Sequence, residues 1–71
     1  MTPEQQEKCT WVNGYLSSTL REGGMNVQRL RYRIDGVEEF VDVIFSNNYV
    51  KRVCVTGDSC RAIIQDVLKA V

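Results

Sequence analysis

Apolar residues recur at helical spacing from the start of the chain: Cys9, Val12, Leu16 and Leu20, with Trp11, Tyr15 and Thr19 widening one flank. Thr2 before Pro3, with Gln5 three residues on, is a capping-box start. Gly23-Gly24 ends that helix, and Gly14 falls on its solvent side. The period then changes from helical to two. Asn26 to Ile34 alternates, with Gln28, Leu30, Tyr32 and Ile34 on one face and Val27, Arg29, Arg31 and Arg33 on the other. Val37 to Phe45 reads as the return strand and Tyr49 to Val55 as a third. Asp58 or Ser59 caps a second helix with apolar positions Cys60, Ile63, Ile64, Val67, Leu68 and Val71, a regular amphipathic stripe. The expected fold is α+β: one domain over residues 1–71, in α-β-β-β-α order, with both helices on one face of a three-stranded antiparallel meander.

The turns set the register. Asp35-Gly36 as a two-residue turn pairs Ile34 with Val37, Arg33 with Glu38, Arg31 with Phe40 and Arg29 with Asp42. A three-residue turn at Ser46-Asn47-Asn48 pairs Ile44 with Val50, Asp42 with Arg52 and Phe40 with Cys54, and keeps Arg52 in water. The face away from the helices then carries an apolar cluster of Phe40, Ile44, Val50 and Cys54, rimmed by arginines and acids. Contiguous apolar patches with polar rims mark contact surfaces. Phe40, Ile44, Val50, Cys54, Arg31 and Arg52 are therefore the candidate partner-binding residues, for a homodimer packed sheet to sheet or for another protein.

Composition narrows the field. With 9 Lys+Arg against 9 Asp+Glu in 71 residues, the net charge is zero, so bulk attraction to nucleic acid or anionic membrane is not expected. No window is apolar enough to span a bilayer, and the polar start is not a signal peptide, so the expected compartment is the cytoplasm. Three cysteines, Cys9, Cys54 and Cys60, without a CxxC pair or any histidine give neither a disulfide framework nor a zinc site; buried reduced thiols are expected, Cys60 among them. Without histidine the commonest general base is missing, and Glu38 and Glu39 point to opposite faces of a strand. A non-enzymatic chain without metal or cofactor is expected.

The α-β-β-β-α order is similar to that of double-stranded RNA-binding domains. That family holds phosphates with a lysine cluster at the start of its second helix. Here the matching positions read Asp58-Ser59-Cys60-Arg61-Ala62, with one cation and one acid, so the resemblance covers element order alone. A nucleic-acid reading rests instead on Arg29, Arg31, Arg33 and Arg52, with Phe40 among them as a stacking ring. The preferred expectation is a small interaction module acting through the outer face of its sheet.

Overall fold

The computed structural model describes residues 1–71. Helix α1 spans Pro3–Trp11, and its rod continues through a π-helical turn, Val12–Leu16, into α2, Ser17–Glu22. Strands β1 (Val27–Asp35), β2 (Glu38–Phe45) and β3 (Val50–Cys54) follow, then α3 (Cys60–Ala70). The strands form one antiparallel sheet in the order β1-β2-β3, giving the expected α-β-β-β-α fold. Thr2 accepts from the Gln5 amide at 3.1 Å while the Gln5 side chain accepts from the Thr2 amide at 2.9 Å, so the capping box forms as read. Ser59, rather than Asp58, caps α3, accepting from the Ala62 amide at 3.2 Å.

The π-helical turn serves β1. In an α-helix, positions four apart drift by about 40° per step. A wider turn removes that drift and keeps rows of such positions aimed at one neighbour. Val12, Leu16 and Leu20 stay buried over the sheet, and the adjacent row, Asn13 and Ser17, stays aimed at the outer edge of β1. There the Leu30 amide donates to Ser17 Oγ and the Tyr32 amide donates to Asn13 Oδ1, both at 2.8 Å. Two strand donors that would otherwise face open space are thereby satisfied by the helix.

The core joins Val12, Leu16 and Leu20 to Val27, Leu30, Tyr32, Val41, Val43 and Val55, closed by Ile63 and Val67 of α3. Cys9, Trp11, Ile34, Phe45, Val53 and Ile64 pack at its margin. Several expectations are corrected. Val27 is buried and Gln28 exposed, because a bulge between Val27 and Arg29 inserts one residue and reverses the alternation at that end. Tyr15 is 73% exposed and Leu68 43% exposed, because the helices seat narrower stripes than their sequence offers. Cys60 is exposed rather than buried, Cys54 is exposed as its place on the outer face implies, and Cys9 is partly covered; all three are free thiols.

The first hairpin also departs from expectation. Asp35 pairs with Glu38, leaving Gly36-Val37 as the two-residue loop with Val37 90% exposed. Only Gly36 takes a positive φ, of 63°, as a II′ turn requires; the expected I′ turn would have forced Asp35 there too. From Arg29 to Ile34 the β1–β2 pairs consequently slide by two: Arg29 lies opposite Ile44, Arg31 opposite Asp42 and Arg33 opposite Phe40. A slide of two preserves which face each side chain occupies. The second hairpin keeps the expected pairs, Phe40 with Cys54, Asp42 with Arg52 and Ile44 with Val50, and Asn48 supplies the positive φ of 69°.

Replacing Ser17 by alanine should cost about 1–3 kcal/mol, because the Leu30 amide loses its only acceptor at a buried position. Urea unfolding with an unchanged slope and a lower midpoint is the expected result.

Candidate functional site

Strand β2 lies between two strands and carries a buried carboxylate on each face. On the outer face this is Asp42, only 5% exposed. Arg33 reaches its Oδ2 at 3.3 Å from the neighbouring diagonal position, and Arg52 reaches its Oδ1 at 3.1 Å from directly across. Both arginine side chains remain half exposed while the Asp42 side chain beneath them is buried. Arg52 also lies over the Phe40 ring, 5.3 Å from its centroid, a cation–π geometry. The expected Asp42–Arg52 pair is present, but the slid register gives the second ion pair to Arg33 rather than Arg29. Arg29 and Arg31 are exposed and form no ion pair, and Glu38 ends opposite Asp35 instead of Arg33.

Phe40, Ile44, Val50 and Cys54 occupy the same outer face, on adjoining positions of β2 and β3. Phe40 and Ile44 are half-buried, Val50 is 51% exposed and Cys54 is exposed. No element of the chain covers them. The six residues expected to form the contact surface therefore share one face, with Arg31 at its β1 margin and Arg52 between Phe40 and Asp42.

The covered face holds an arrangement that the hydrophobic reading passed over. Glu39 is 6% exposed, and its carboxylate accepts from the Tyr32 hydroxyl, from Lys8 Nζ at 3.4 Å and from the Gly57 amide at 2.8 Å. Lys8 is itself 8% exposed. The signal was present: Lys8 stands four residues before Val12 on the buried row, and Glu39 falls between Val37 and Val41 on the inward phase of β2. Burial pushes the Glu39 carboxyl upward, but the Tyr32 hydroxyl, the Gly57 amide and the Lys8 ammonium outweigh it and hold the group below its ordinary range. Burial, reinforced by the hydrogen bond to Glu39, holds the Tyr32 phenol above its ordinary range. Beside this group the neighbouring Asp66 carboxylate, together with burial, raises the Asp58 carboxyl, and Asp58 Oδ2 meets no donor. An open groove of about 630 Å³ lies at the other end of the sheet, between Met25, Phe45, Tyr49, Lys51 and the last turn of α3. No group of three or more Cys, Asp or Glu side chains is gathered closely enough to hold a metal ion, and no helix is long and apolar enough to cross a membrane.

The two carboxyl groups on the covered side oppose one another in pH. The Glu39 pKa is lowered on folding, so its stabilisation is present above its unfolded value and is lost as pH falls through the folded one. Glu39→Gln should therefore destabilise the chain by about 3–5 kcal/mol at neutral pH, because Lys8 stays buried without its main partner, and the difference should shrink in acid. The Asp58 pKa is raised, so its contribution is present below the unfolded value and is lost as pH rises through the folded one. Asp58→Asn should stabilise the chain at neutral pH, with the gain vanishing in acid. Denaturant titrations of both variants across the acid range check these signs. Comparison with protein-family models, curated proteins and solved structures finds no match to this chain.

Proposed function

We propose that this chain is a small non-enzymatic interaction module that binds a protein partner through the outer face of its sheet. The supporting observation is the uncovered apolar strip of Phe40, Ile44, Val50 and Cys54, bordered by Arg31 and Arg52. Such a strip gains by burial, about 25 cal/mol for each Å² of apolar surface removed from water. Arg52, stacked on Phe40 and tied to Asp42, is held in one orientation before any partner arrives, which lowers the ordering cost of binding. The polar cluster around Glu39 offers no competing reaction centre, since its groups are buried and occupied with one another.

A second reading is favoured by one observation: Arg29 and Arg31 stand unpaired on the same face, as cations that hold phosphates would. This would be a nucleic-acid surface built from Arg29, Arg31, Arg33, Arg52 and Phe40. Salt separates the two, because phosphate binding weakens linearly in log salt with a slope set by the number of contacts, while apolar contact does not.

The test is the double variant Phe40→Glu with Ile44→Lys. Its melting curve should match the parent, since both side chains point away from the core. A protein recovered by the parent chain in high salt, and binding it as a purified component, should be lost from the variant. Retained binding would remove the outer face from consideration. Binding of a single-stranded RNA oligomer that is lost with salt and with Arg29→Ala plus Arg31→Ala would instead establish the second reading.

A further inference from the structure

The two edges of the sheet are not equivalent. The amides of Leu30 and Tyr32 on the β1 edge are taken by Ser17 and Asn13. The β3 edge has no neighbouring strand. Its direction follows from the bonds at its two ends. The Tyr49 carbonyl accepts from Phe45 at 2.8 Å and the Val55 amide donates to Glu39 at 2.9 Å, so odd-numbered residues turn their backbone groups toward β2. The N–H and C=O groups of Val50, Arg52 and Cys54 therefore point outward.

One flank of α3 borders that edge. Helix α3 packs on β3 and β2. Ala62, Asp66 and Ala70 form one half-buried side of it, whereas Cys60, Leu68 and Val71 are exposed. The covered side turns toward the first helix. Ile64, Leu68 and Val71 lie on the opposite side, at the helical spacing of four and three residues, and so turn toward the open edge. Leu68 and Val71 are 43% and 39% exposed, although they belong to the same apolar stripe as the buried Ile63 and Val67. The stripe is thus wider than this chain alone can cover.

We propose that two copies of this chain pair antiparallel through their β3 edges, making one six-stranded sheet with the two α3 helices side by side over the junction. Spacing supports a second copy as the occupant. Strands lie about 4.8 Å apart. Helices seated between β2 and β3 of each copy would then run about 10 Å apart, the distance at which packed helices interlock. Each copy brings the Ile64, Leu68 and Val71 flank that the other needs. Charge selects the register. Centring the two-fold axis on Arg52 or on Lys51 sets like cations against one another. Centring it on Val53 sets Val53 against the partner's Val53 beneath the helices, Arg52 against the partner's Cys54, and Lys51 against the partner's Val55. Outward groups then meet outward groups at Arg52 and Cys54. This interface goes beyond the outer-face reading and does not rest on it, since it uses the edge and the helix-covered side.

Light scattering of the full chain, with reductant, across a wide concentration range should give twice the 8.1 kDa chain mass at the upper end. Amide exchange by NMR gives the geometry. The Arg52 and Cys54 amides should become protected as the dimer forms, while those of Lys51 and Val53, bonded to β2, stay protected at every concentration. Leu68→Glu, at a half-exposed position, should raise the dissociation constant more than about tenfold without changing the far-UV spectrum. Cys54→Pro removes an outward donor while leaving the bonds to β2, and should do the same. A single-chain mass at all concentrations would overturn the proposal. So would a dimer whose Arg52 and Cys54 amides exchange freely, or one dispersed by Phe40→Glu with Ile44→Lys but not by Leu68→Glu, which would assign self-association to the outer face.

Discussion

One buried carboxylate joins every layer of this fold. The Glu39 side chain accepts from Lys8 of α1, Tyr32 of β1 and Gly57 of the loop leading to α3. Its main chain bonds that loop again: its amide donates to Thr56 Oγ1 at 2.9 Å and its carbonyl accepts from the Val55 amide. A small core of aliphatic side chains is non-directional and fixes neither the tilt of a helix nor the path of a loop. A charge withdrawn from water is costly unless each lone pair is met, so the groups that meet it are constrained in position. Glu39 thus supplies the directionality that Val12, Val41, Ile63 and their neighbours lack.

Asp42 repeats this logic on the opposite face, with different consequences. Its partners, Arg33 and Arg52, come from strands rather than from a helix and remain in contact with water. The central strand therefore carries one carboxylate that closes the interior and one that organises the exterior. The first is met by a cation withdrawn from solvent, the second by cations that present their outer surfaces. The uncovered face is consequently an ordered mixture of apolar side chains and oriented guanidinium groups.

Much of this was legible in the sequence because parity is robust. Alternation alone assigns Leu30, Tyr32, Val41 and Val43 inward and Phe40 and Ile44 outward. Those assignments survive the slide at the first hairpin because it moves the pairs by two. The second hairpin was legible in full, since the competing turn would have driven Arg52 into the core. The first was not, because Asp35-Gly36 and Gly36-Val37 both make two-residue turns and differ only in which residue bears a positive φ. The bulge at Gln28 left no mark in the alternation and reversed Val27. The Glu39 cluster was missed because a period-based reading discounts charged residues, although Lys8 and Glu39 stand in phase with their apolar neighbours. The exposure of Tyr15, Cys60 and Leu68 depends on how far each helix rolls onto the sheet, which sequence periodicity does not specify.

The helical acceptors Asn13 and Ser17 have a further consequence, for how far an assembly grows. A three-stranded sheet with both edges open can add neighbours on either side, and identical chains would then extend without limit into a fibre. Here two amides at the middle of the β1 edge, those of Leu30 and Tyr32, are already bonded to its own helix. Any strand pairing between copies has one terminus per chain to use, so growth halts at a closed pair. Two short polar side chains on a widened helical turn thereby guard one edge of the sheet against open-ended pairing in a chain of zero net charge.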